Sequence, residues 1–233
     1  MSLPEALSER TLERLTTALD LRPAAEVPLT SPMSPDPVGR LLVLRPSGAD
    51  GPVDKAVAVS LVVPQIGLDS HMIFAFTRPG SAVPHFTVDA VAAAEFHAMH
   101  LDLIPRADLA VNLDYLDACF VPLTDLLDGA WQLDGLSPAA ITARQKAMMS
   151  PWMLVCRATD DAFAKLGTTV DAYLDHWLAL AADGVPQPTG DLAERDRVNR
   201  ANLFSPDVDP VWHQVTRLIG AEQSETVRKE LLS

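Results

Sequence analysis

The sequence predicts an α/β chain: a central antiparallel β-sheet flanked by helices, arranged as an α/β/α sandwich. Three observations carry that expectation. Short β-like segments follow one another between residues 41 and 102. The turns between them are too short for the crossover that a parallel pair needs. Amphipathic helical periodicity brackets them on both sides.

The elements follow in order. Residues 2–20 read as a helix, with Ser2 as its cap, Pro4 in its first turn and Leu12, Leu15 and Leu19 at helical spacing. Residues 22–39 are proline-rich with little periodicity, so an extended connector is expected there. The β-like segments are Leu41–Arg45, Lys55–Val63, Ser70–Arg78, His85–Ala92 and Phe96–Asp102. Residues 109–148 read as mostly helical, and Trp152–Arg157 as one further strand. Residues 160–182 form a long amphipathic helix, with Phe163, Leu166, Val170, Tyr173, Leu174 and Trp177 on one face. After the break DGVPQPTG, residues 191–203 and 210–232 read as two terminal helices. The expectation is one unit over 1–233, with helix and connector in 1–39 and the core in 40–233.

Composition narrows the function classes. Hydrophobic residues make up 48% and charged residues 21%, an ordinary globular balance. No apolar run approaches the roughly 20 residues that span a bilayer. The acidic, amphipathic start MSLPEALSERTLERL lacks signal-peptide and transit-peptide character, so a cytoplasmic protein is expected. A net charge of -13 argues against nucleic-acid and anionic-membrane partners. Cys119 and Cys156 lie far apart without zinc-site spacing and read as buried small hydrophobes. Dinucleotide, P-loop, serine-hydrolase and zinc-protease motifs are absent.

The chemistry-bearing feature is a carboxylate in an apolar sheet segment. Turn positions near Gly67 and Gly80 place Ser60 opposite Met72, and Met72 opposite Asp89. Phe74, Phe76, Thr87 and His85 then share that face. A half-buried Asp is costly unless paired or protonated, and its raised pKa suits proton donation. The spacing alone also fits a strand whose Asp89 is simply solvated. Asp209, in S-P-D-V-D-P, reads as a helix cap that can also project into a pocket. His213 lies one helical turn beyond it. His97 and His100, three apart on a strand, point to opposite faces and do not make a shared metal site.

Leu68 to Asp89, with Leu68-Asp69, Phe76, Arg78-Pro79, Pro84, Phe86 and Asp89, resembles the central hairpin of the ferredoxin-dependent bilin reductase superfamily. Further blocks are similar to its red chlorophyll catabolite reductase branch. They are Pro84-His85-Phe86, Asp102-Leu103 with Pro105-Arg106 and Asp108-Leu109, Asp114-Tyr115-Leu116, Ser150-Pro151 with Cys156-Arg157, and Asp209 with Gly220. The resemblance implies reduction of a linear tetrapyrrole such as biliverdin, with electrons from ferredoxin and no bound cofactor. It implies Asp89 and Asp209 as catalytic proton donors. Ser60, Met72, Phe74, His85, Thr87, Arg157, Asp207 and His213 become the substrate-binding candidates, with no metal ligands. The chain departs from the family at two positions: Met72 stands where a His is common, and Ser60 where a Glu is common. Fewer donors leave open either a single two-electron reduction or binding without turnover. The Ala, Asp and Pro content suggests a bacterial source.

Overall fold

The computed structural model describes residues 1–48, 50–93 and 95–233. Helix α1 (Leu3–Leu19) starts at a capping box in which Ser2 and Glu5 satisfy each other's backbone N–H. It leads into β1 (Leu21–Leu29), β2 (Gly39–Pro46), β3 (Val53–Val63), β4 (Leu68–Thr77), β5 (His85–Ala92) and β6 (His97–Ile104). These form an antiparallel meander. Short helices α2 (Leu113–Cys119) and α3 (Thr124–Ala130), β7 (Leu136–Pro138) and α4 (Ala143–Met148) follow. Then come β8 (Leu154–Ala158), α5 (Asp160–Asp183), α6 (Leu192–Leu203), α7 (Val211–Ile219) and α8 (Ala221–Leu232). The eight strands form one sheet in the order β1-β2-β3-β4-β5-β6-β8-β7, every neighbouring pair antiparallel.

Alternation along the strands gives the sheet two apolar faces. Ile73, Ala75, Phe86, Val88, Leu101 and Leu103 point toward α1 and α5, where Leu15, Phe163, Leu166 and Trp177 complete one core. Val57, Phe74, Phe76 and Ile104 point the other way, toward Leu203 and Phe204 at the end of α6, Trp212 of α7, and Val227 and Leu231 of α8. The α/β/α layering expected from the sequence is the observed one.

Three local expectations are corrected. Residues 22–29 of the expected connector belong to strand β1 (Leu21–Leu29). It lies at the sheet edge, where Pro23 and Pro28 cost no central ladder, and its register shifts between Pro23 and Ala25. The stretch 109–148 contains strand β7 as well as short helices. The last helix is two, because Gly220 adopts φ 82 and ψ 164, a geometry that ends α7.

The second face is fastened by a buried ion cluster. Asp196 on α6 meets Nε2 of His85 at 2.6 Å, Nη1 of Arg106 at 3.0 Å and Nη2 of Arg200 at 3.0 Å. The Thr77 backbone N–H donates to His85 Nδ1 at 3.0 Å, so the ring proton sits on Nε2 and is donated to Asp196. Burial holds His85 neutral, its pKa down to about 3. Burial alone would raise the Asp196 pKa, but the His85 hydrogen bond and the two guanidiniums keep it below the usual carboxylate range. Substituting Asp196→Ala strands two buried guanidiniums, so unfolding in urea should show a loss of about 3–5 kcal/mol with an unchanged slope.

Candidate functional site

The β4–β5 register is the expected one: Met72 pairs with Asp89. The β3–β4 register differs by one residue. The turn runs as a 3-10 segment, Pro64–Ile66, closed by left-handed Gly67, and this aligns Val63 with Leu68. Val59 therefore lies opposite Met72, and Ser60 opposite His71. Since a one-residue slip reverses facing, Ser60 belongs to the α1 side of the sheet and leaves the expected row. There its Oγ accepts the Arg40 backbone N–H at 3.2 Å.

The row extends in the other direction. Asp89 pairs with His100 of β6, and His100 with Val155 of β8. Val59, Met72, Asp89, His100 and Val155 thus run across the second face. The start of α7 stands over them. Three adjoining cavities, of about 320, 240 and 80 Å³, share Asp89 and Val211 as wall residues. Asp89 is the floor of a cleft between the sheet and α7. Its rim carries apolar Ile66 and Val211, exposed at 52% and 45%, which is unusual enough to suit an apolar ligand edge.

Asp89 is half-buried, and its Oδ1 is buried without a hydrogen-bond partner among the described residues. Burial pushes its pKa up to about 7, and the nearby charge of Asp209 adds to the rise. Asp209 reaches the 240 Å³ cavity from just before α7, where its carboxylate also accepts the Val211 N–H at 3.0 Å. It projects into the pocket, as the sequence allowed, but the cap of α7 is Pro210 and not Asp209, whose carboxylate instead holds the first helical N–H from one residue before the cap. Two carboxyls facing one cleft, one of them poised near neutrality, can hold and deliver a proton.

The other candidates divide. Met72 lines the smallest cavity. Phe74 is 5% exposed and packed against Phe76 and Phe204, which makes it core rather than cleft wall. Thr87 is fully buried under the helices, with its Oγ1 unpartnered. His85 shares the face of Asp89, as expected, but is consumed by the Asp196 cluster four residues away. Arg106 joins that cluster, and Arg78 donates to the Gly51 carbonyl at 2.9 Å. Arg157 is exposed, its guanidinium 4.5 Å from the Phe96 ring centroid. Asp207 is exposed, its carbonyl accepting from Arg144 at 3.2 Å, and His213 is exposed on α7; neither lines the three cavities. Helical spacing puts His213 on the solvent side because Trp212 and Val215 take the inward one.

His100 was missed as a site residue, since the sequence weighed it only as a metal ligand. Carrying the register across to β6, where Ala92 pairs with His97, would have found it. Among the described residues, no group of three His, Cys, Asp or Glu side chains stands together as a metal site. No helix among them is long and apolar enough to cross a membrane.

Because Asp89 keeps its proton to about pH 7, against an ordinary value of 3.8, the native state binds more protons than the unfolded chain between those values. This stabilising contribution is lost as pH rises through that window. The Asp89→Asn variant should therefore gain melting temperature relative to the unsubstituted chain as pH goes from 4 to 8, in paired thermal unfolding scans.

No family model matches the sequence, and no curated protein is significantly similar to it. A solved structure does match in fold: phytochromobilin synthase from tomato, crystallised in complex with biliverdin. The TM-score is 0.73 at 20% sequence identity, covering 98% of this chain and 82% of that one. The two chains share a fold over nearly the whole length described here.

Proposed function

We propose that this chain is an oxidoreductase that binds a linear tetrapyrrole in the cleft above Asp89 and reduces it with electrons from a ferredoxin-type donor. The observation that carries the reading is the Asp89 carboxyl, half-buried on an apolar sheet face and set against Asp209 across a cleft. The shared fold with a protein crystallised with biliverdin supports the ligand class. The ordered sequence blocks support the superfamily and, more finely, its red chlorophyll catabolite reductase branch. They also support a mechanism without a bound cofactor.

In this reaction two one-electron donors deliver two electrons to the conjugated ligand, and the protein delivers two protons, so one double bond is reduced. Asp89 gives a proton from its neutral form, and Asp209 assists from the opposite wall. The apolar floor at Val59, Met72 and Val155 supplies a dry surface for a planar ligand, and the few polar groups fix its orientation. The acidic balance requires the donor to dock on a local basic patch. Arg195, Arg197, Arg200, Arg217, Arg228 and Lys229 make the C-terminal helices the richest region, although Arg200 is consumed by the Asp196 cluster.

A second reading has its own support. With Met72 on the site face and Ser60 turned away, two positions where the family commonly carries proton donors supply none here. The chain would then bind a tetrapyrrole without reducing it.

Biliverdin should bind at micromolar concentration or tighter with a shifted visible spectrum, and a flat titration across linear tetrapyrroles and haem refutes both readings. Anaerobic turnover with reduced ferredoxin separates them, since binding without product selects the carrier. For the enzyme, Asp89→Asn should lower turnover at least about 100-fold while leaving ligand affinity within a few-fold. Turnover should decline above about pH 7 as Asp89 loses its proton.

A further inference from the structure

We propose that His100 is a second substrate-contacting residue, whose Nε2 accepts a hydrogen bond from a ligand N–H and so sets an adjacent basic atom of the ligand against Asp89. The inference rests on the reading of the cleft as a tetrapyrrole site and adds a residue to it.

The geometry comes from the register. Asp89 and His100 are directly opposed across β5 and β6, which brings their Cβ atoms to about 5 Å on the same face. Both line the 240 Å³ cavity. Asp89 Oδ1 and His100 Nε2 are each buried, and neither has a hydrogen-bond partner among the described residues, not even each other. Buried polar atoms are nearly always paired, so two orphans side by side on the floor of one cleft mark a place made for an outside group. Burial lowers the His100 pKa to about 4, leaving a neutral ring able to accept. The neighbouring carboxyl is the donor of the pair. A conjugated chain of pyrrole rings, which carries N–H groups beside basic atoms, matches one acceptor next to one donor.

A structural histidine and a ligand-binding one differ in what their removal does to the unliganded protein. Hydrogen bonds that a core histidine makes are lost on substitution, and stability falls. An orphaned atom has no bond to lose, so His100→Leu relieves its desolvation cost and should leave the unliganded protein at least as stable. Affinity then falls without any fall in melting temperature.

The experiment titrates biliverdin, followed by visible absorbance at neutral pH, into the unsubstituted chain, His100→Leu and His100→Gln, with thermal unfolding of each without ligand. The expected result is binding weakened at least 10-fold by leucine and within about threefold for glutamine, whose amide oxygen restores an acceptor. Leucine should not lower the unliganded melting temperature. Equal affinity for His100→Leu and the unsubstituted chain overturns the role of His100 while the tetrapyrrole reading stands. A leucine variant that loses melting temperature and affinity together, with glutamine no better, also overturns it in favour of a packing role. Absence of binding by the unsubstituted chain overturns both.

Discussion

The Asp196 carboxylate is the contact on which the second layer of the molecule depends. It joins α6 to His85 at the start of β5 and to Arg106 just past β6, two points that lie together only when the β5–β6 hairpin is in register. A buried cluster of this kind adds little net stability over an apolar replacement, because desolvation offsets the attraction. Its effect is on arrangement, since each member is costly unless all are in place. Arg106 extends the tie by donating to the Arg78 and Pro79 carbonyls at 3.1 and 3.0 Å, which clamps the β4–β5 turn. Once α6 is set, the chain delivers Asp209 and α7 over the middle of the sheet.

The second face therefore holds two kinds of buried polar group, and the difference separates scaffold from site. Asp102 is fully buried with its pKa raised to about 7 by burial, yet its oxygens accept from the Ser150 N–H at 2.9 Å and hydroxyl at 2.6 Å. That pair fixes the approach to β8. Lys55, also fully buried and lowered to about 8 by burial, donates to the Glu230 carbonyl and to Ser233 of the C-terminal helix. A perturbed pKa alone thus does not mark function here. What distinguishes Asp89 and His100 is a perturbed carboxyl and a neutral ring on the wall of a cleft, each with an atom that the chain itself leaves unpaired.

Most of the fold was legible because alternation and turn chemistry are local signals. Six of the eight strands, the long α5 and the flanking helices follow from spacing alone. The pairing of Met72 with Asp89 followed from a turn whose centre the glycine and serine near residue 80 reveal. The Ser60 placement failed because Pro64–Gly67 makes a helical turn, and one residue of turn length reverses a facing. Strand β1 was hidden by prolines that only an edge position tolerates. Among candidate-site residues, the cleft-facing placement of Asp89 and Asp209 was readable, whereas His85 and Phe74 were assigned to a pocket whose walls do not include them. Their facing was right or plausible, but Asp196 and Phe204, distant in the chain, take up their contacts, and no local pattern announces that.

The substitution that weakens the enzymatic reading is also the one the fold can compensate. Met72 supplies no proton, and it sits beside Asp89 on the β4 side. On the β6 side stands His100, the same distance along the row in the opposite direction. An antiparallel sheet offers a central residue two neighbours on its own face, so a polar partner can be moved from one flanking strand to the other without disturbing the carboxyl between them. With Asp89 central, Asp209 above and His100 alongside, the cleft keeps two carboxyls and one neutral imidazole around its floor, so Met72 does not leave Asp89 isolated.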